Sequence, residues 1–209
     1  MNKKWVIKSE PPYSDVEKLK NELKVNEIII KLLLQKGIDS REKAEEFFRP
    51  KLDDLHDPFS MKDMKNAVEL VNKTIQSKKK ILLFGDYDVD GTTAVSLMYL
   101  SLLPYYSNIS YYIPDRYNEG YGVSKKGIDY AIKNEIALII SLDCGIKSVE
   151  LIQYARENNI EFVVCDHHQP GEELPNCVVL DPKRKDCNYP FKELSGCGVG
   201  FKLLQALYS

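Results

Sequence analysis

The stretch FGDYDVDGTTA, Phe84 to Ala94, sets three carboxylates, Asp86, Asp88 and Asp90, at alternate positions inside a loop framed by glycines. Two further acidic points follow: Asp143 in SLDCG, and Asp166 directly ahead of His167 and His168 in CDHHQP. Carboxylates that share one partly dry volume raise one another's pKa and destabilise the fold, so cations must neutralise them. Carboxylate oxygens with one or two imidazole nitrogens suit Mn2+ or Mg2+ better than a thiolate-type zinc site does. With this many donors a pair of ions about 3.5–4 Å apart is reasonable, and such a pair activates water and clamps a phosphoryl group for in-line displacement. The expected chemistry is therefore phosphoryl transfer, with phosphate held through metal rather than through amides alone.

Each piece has a plainer reading by itself. Asp86-x-Asp88-x-Asp90-Gly91 begins like a calcium-binding EF-hand loop, but its twelfth position is Leu97 in place of the bidentate Glu, and an apolar run precedes it. A P-loop fails because no lysine separates Gly91 from Thr92. An aspartate after a strand is often a helix cap or turn residue, and Asp143 taken singly stays open to that reading. Adjacent histidines can form a solvated turn. The joint placement of all three groups after successive apolar runs is what sets them apart.

Those runs are KILLF (80–84), ISYYI (109–113), ALIISL (137–142), EFVVC (161–165) and CVVL (177–180), with helical patterns between them. Strands this apolar are buried on both faces, which predicts an α/β fold: a doubly wound, mainly parallel five-stranded sheet flanked by helices. Ligands of such sheets bind at the carboxyl ends of the strands. If the strands before Asp86, Asp143 and Asp166 are neighbours, about 4.8 Å apart, their loops meet in one small volume. Ahead of the sheet, residues 15–75 read as helices. DVEKLKNELKVNEIIIKLLLQKG shows an apolar face at Val16, Leu19, Leu23, Ile28 and Leu32 with Gly37 as a stop; a second helix starts at Ser40, and a third runs over about 62–77. The expected organisation is a small helical region over 1–78 and an α/β domain over 79–209.

Composition bounds the rest. The 209 residues carry 29 basic and 31 acidic side chains, and the acidic excess lies after residue 80, in the part with the aspartate loop. A charge this close to balance does not decide for or against nucleic acid, because a local basic groove can bind phosphates. Five cysteines without a Cys-x-x-Cys pair predict reduced thiols in a cytoplasmic protein, and a zinc site from Cys165, Cys177, Cys187 and Cys197 lacks a short chelating pair. MNKKWVIKSE has too short an apolar run for a secretion signal, and EIIIKLLL is interrupted by Lys31 and too short to span a bilayer, so no membrane role is expected. His56 reads as structural.

GDYDVDGTTA, SLDCG and CDHHQP, in this order, resemble the first three motifs of the DHH phosphoesterase family. The flanks KGIDSREKAEEFFRPKLDDLHDPFSMKDMKNAV, YIPDRYNEGYGVS and ELSGCGVGFKLLQAL are similar to the RecJ-type single-strand-specific exonucleases within it. The resemblance implies Asp88 and Asp90 as ligands of separate ions, Asp143 as a bridging carboxylate, His167 as a ligand, and His168 facing the scissile phosphate. Asp86 stands near the place where some members have a histidine ligand, and Asp166 binds metal or orients an imidazole. The family's fourth motif and its DHHA1 domain are not found before Ser209, which implies the N-terminal half of an enzyme, with activity of this part low or absent. Thr92 and Thr93 open a helix whose amides would face an anion. Ser195, Gly196 and Gly198 either offer amides likewise or pack a turn against the sheet. Arg116 is either a phosphate contact, with Tyr117 or Tyr121 for base stacking, or a surface side chain.

By this resemblance the expected activity is metal-dependent 5′-to-3′ hydrolysis of single-stranded DNA in repair and recombination, with Mn2+ or Mg2+ as cofactor and repair or replication proteins as further partners. Hydrolysis of short oligonucleotides or cyclic dinucleotides, and a non-catalytic nucleic-acid-binding scaffold, are the alternatives.

Overall fold

The computed structural model describes residues 4–209. The chain divides into two compact units, residues 1–55 and 56–209.

In the first unit three helices, α1 (Tyr13–Leu23), α2 (Glu27–Gln35) and α3 (Arg41–Phe48), bury Val16, Leu19, Ile30, Leu33, Ile38 and Ala44 together. The apolar face read through Ile28 and Leu32 is corrected here, since those side chains are 68% and 55% exposed. The cause is local. Lys24 caps α1 in the left-handed conformation (φ 54°), and Asn26 begins α2 by accepting a hydrogen bond from the Ile28 amide, so the periodicity restarts at a new phase.

The second unit is built on five parallel strands, β1 (Lys80–Gly85), β2 (Ile109–Tyr112), β3 (Ile136–Leu142), β4 (Glu161–Cys165) and β5 (Val178–Leu180), in the order β2-β1-β3-β4-β5. The sheet is parallel throughout. Alternation along β1 shows why its runs are continuously apolar: Ile81 and Leu83 enter one core with α4 (Met64–Gln76), α5 (Val89–Leu102) and α8 (Gly196–Leu207). Leu82 and Phe84 enter the opposite core with α6 (Lys125–Lys133) and α7 (Val149–Glu157). The inner strands β1, β3 and β4 are thus dry on both faces, while the edge strand β2 leaves Tyr111 exposed. Helix α4, assigned from sequence to the region ending at 78, buries Met64, Ala67 and Val71 in the first of these cores, so the compact unit begins at His56.

Because β1, β3 and β4 are adjacent, in register Gly85 opposite Leu142 and Leu142 opposite Cys165, the residues that follow them leave the sheet side by side. Among the described residues no helix is long and apolar enough to cross a membrane.

Candidate metal centre

Asp86, Asp143 and Asp166 are the residues directly after β1, β3 and β4, and all three are buried, with at most 1% exposure. Three buried carboxylates with no lysine or arginine among the described residues placed against them are an electrostatic liability. Asp86 Oδ1 accepts from the Gly122 amide at 3.2 Å, but Oδ2 has no partner. Asp143 Oδ1 lies 3.1 Å from His167 Nε2 without hydrogen-bond geometry and is likewise orphaned. Burial raises the Asp86 carboxyl above its ordinary range. At Asp143 burial, then the charges of Asp90 and Asp88, push the pKa up to about 8. Asp143 also holds a left-handed backbone (φ 64°), which turns the chain sharply at the strand end and keeps the carboxylate in the cleft.

Two sets of donor atoms lie within 4.8 Å of one another: Asp86, Asp88 and Asp143 in one, Asp143, His167 and His168 in the other. Asp143 is common to both. Orphaned buried oxygens beside imidazole nitrogens fit a hard divalent cation, or two sharing one carboxylate.

The remaining members have more particular surroundings. Asp88 is the N-cap of α5 and accepts from the Gly91 amide at 2.9 Å. Asp90 reaches across to α8, where its two oxygens accept the amides of Gly196 and Cys197, each at 2.7 Å, and its Oδ2 stands 3.6 Å from His167 Nε2. Asp166 orients an imidazole: its Oδ1 meets His168 Nδ1 at 2.7 Å and takes the His167 and His168 amides, while Oδ2 takes the Ile146 amide. Burial pushes the Asp166 carboxyl up, but those hydrogen bonds outweigh it and hold its pKa below the ordinary value. The hydrogen bond to Asp166 raises the pKa of His168 in turn.

Several expected anion contacts are otherwise engaged. The amides of Gly196 and Cys197 serve Asp90, and the Gly198 amide donates to the Ser195 side chain, the N-cap of α8. The turn also packs closely: a Cβ at Gly196 would collide with the Asp143 carboxylate. Thr92 turns its hydroxyl back to the Asp88 carbonyl, and Thr93 is exposed in the first turns of α5. Arg116 is exposed and stacks over Tyr87, 5.3 Å from the ring centroid, while Tyr117 is 93% exposed. Tyr121 does reach the centre, through its hydroxyl at 2.9 Å from His168 Nε2. His56 lies edge-on to Tyr189, with its carbonyl accepting from the buried Lys202.

Sequence reasoning missed Tyr87 and Asp181. Asp181 follows β5, is buried with one orphaned oxygen, and burial lifts its pKa to about 6. The signal was there: Asp181 follows CVVL directly, as Asp143 follows ALIISL and Asp166 follows EFVVC.

The family model for the DHH family, N-terminal domain, matches residues 80–209. This chain belongs to the DHH family. The DHH chain is 38% identical over 205 residues to the single-stranded-DNA-specific exonuclease RecJ of Bacillus subtilis, covering 98% of this chain and 26% of that protein. It is 33% identical to the RecJ of Escherichia coli over 86% of this chain and 31% of the relative. Among solved structures, RecJ in complex with Mn2+ from Thermus thermophilus superposes with a TM-score of 0.73 at 25% identity, covering 96% of this chain and 28% of that one. An exonuclease RecJ bound to manganese gives 0.65 at 32% identity, over 71% of this chain and 38% of the other. The DHH chain thus spans roughly a quarter to a third of the length of these curated relatives.

Proposed function

We propose that this chain forms the metal-binding floor of a RecJ-like exonuclease, a phosphodiester hydrolase that removes nucleotides from single-stranded DNA in the 5′-to-3′ direction. The observation that carries the reading is the meeting of three buried strand-end carboxylates, two with orphaned oxygens, beside His167 and His168. Likeness to RecJ proteins crystallised with manganese supports Mn2+ or Mg2+ as the cofactor. Asp143 belongs to both donor sets and is the candidate bridge, Asp86 and Asp88 complete one set, and His167 stands in the other. Asp90 shares the site while tied to α8. When bound, two such ions supply Lewis-acid activation of water and charge stabilisation at phosphorus.

The chain's own residues do the rest. Asp166 fixes Nδ1 of His168, so the ring can meet a phosphoryl or leaving oxygen only through Nε2. Arg116 over Tyr87 offers an exposed cationic and aromatic surface to a single strand, whose bases stack without sequence preference. A role in DNA repair and recombination follows from that activity.

The test, on the full-length protein, is a Mn2+ titration by calorimetry, with hydrolysis of 5′-phosphorylated strands followed across a length series. Binding in the micromolar range or tighter, and mononucleotide release favouring longer single strands, is expected. Absence of Mn2+ binding would return the chain to a scaffold, and preference for dinucleotides would move it to the short-substrate members of its family.

A further inference from the structure

Both ring nitrogens of His168 are already engaged, Nδ1 by Asp166 at 2.7 Å and Nε2 by the Tyr121 hydroxyl at 2.9 Å. An imidazole so occupied has no site left for a phosphoryl oxygen, so one partner must withdraw before substrate meets the ring. Asp166 cannot. It is 1% exposed and held by three backbone amides besides. Tyr121 can. It is 55% exposed, and its ring meets His168 and Tyr87 only edge-on, at 5.8 and 6.2 Å between centroids. Glycines flank it on both sides in left-handed conformations, Gly120 at φ 81° and Gly122 at φ 78°, and nothing lies within 4 Å of a Cβ built on Gly120. The Gly122 amide, bonded to Asp86, anchors the base of the turn while Tyr121 stands free above it.

We propose that Tyr121 is a displaceable cap on His168, a positioning residue whose hydroxyl occupies Nε2 in the ligand-free site and yields it to a phosphoryl oxygen of the incoming strand. The hydroxyl suits either charge state of the ring, since it donates to a bare Nε2 and accepts from Nε2–H. Only the identity of the incoming ligand rests on the exonuclease reading.

Tyr121→Phe keeps the ring and deletes the hydroxyl. Diethyl pyrocarbonate labelling of the metal-free chain, read at each histidine by mass spectrometry, reports access to imidazole nitrogens without turnover. His168 should label roughly fivefold faster in the variant, the factor that a net hydrogen bond of about 1 kcal/mol implies, while His167 is little changed. Equal labelling of His168 in both proteins overturns the cap. With Mn2+ and a 5′-phosphorylated oligothymidylate, KM should fall in the variant because the competing hydroxyl is gone; a fall in kcat at unchanged KM overturns the cap as well. A full-length protein whose His168 labels as expected yet which leaves the oligothymidylate intact supports the cap and overturns the exonuclease reading.

Discussion

Two buried charge clusters sit in the second unit and differ in how they are balanced. Around Arg184 the carboxylates meet a cation of the chain itself. Its guanidinium donates to Asp63 at 2.6 Å, to Asp186 through two nitrogens at 3.0 and 2.8 Å, and to the Val179 carbonyl at 2.6 Å. Burial alone would lower the Arg184 pKa, yet Asp186 and Asp63 outweigh it. Around Asp143 only imidazoles and no lysine or arginine close in among the described residues, two carboxylate oxygens have no partner, and the Asp86 and Asp143 pKa values are displaced upward. A satisfied buried ion pair is architecture, whereas a deliberately unsatisfied one is a place for something from solution.

That contrast can be broken at three points. The largest effect is expected at Asp143. Asparagine there tolerates the left-handed backbone and has no proton to lose, so Asp143→Asn should keep the fold, with a thermal midpoint at or above that of the unchanged protein. Hydrolysis by the active protein should drop by roughly a thousandfold or more, several kcal/mol of transition-state stabilisation. Retained turnover would show that the unsatisfied cluster is not the reaction centre. Next comes Arg184→Met, which strands Asp63 without its cation and should cost about 3 kcal/mol in urea unfolding. Calorimetric Mn2+ affinity should stay within about twofold, a change too small for a lost ligand; a large loss would join the two clusters into one.

The smallest effect is a pH dependence. In the metal-free chain the folded Asp143 keeps its proton up to a pKa of about 8, against 3.8 for an ordinary aspartate. The folded state therefore binds more protons than the unfolded state between those values, and stability falls as pH rises through that window. Thermal melts should show the decline by a few degrees, and saturating Mn2+ should remove it. A rise in stability over the same window would mean that the cluster is already neutralised from within the protein.

How much of this was written legibly depends on whether the determinant is local. The central strands were readable because β1, β3 and β4 are dry on both faces and therefore continuously apolar, and the strand-end aspartates because a period of strand then acid recurs. The break at Lys24 was not readable, since a lysine in a left-handed cap carries none of the usual glycine signal. Nor was the engagement of the Gly196 and Cys197 amides by Asp90, a pairing of residues 106 and 107 positions apart. The glycine turn before α8 looks the same in sequence whether its amides await an anion or already hold one belonging to the chain. Tyr121 was singled out as a stacking ring, but the part of it that touches the centre is its hydroxyl. Side-chain direction in a loop has no periodicity to betray it.

The tie between Asp90 and the start of α8 also bears on the order of events at the ribosome. The aspartate loop is synthesised early, but its third carboxylate has no amides to rest on until Gly196 and Cys197 have emerged from the exit tunnel. A nascent chain holding only the first four strands therefore exposes an acidic rim in which Asp90 still lacks its two amide partners.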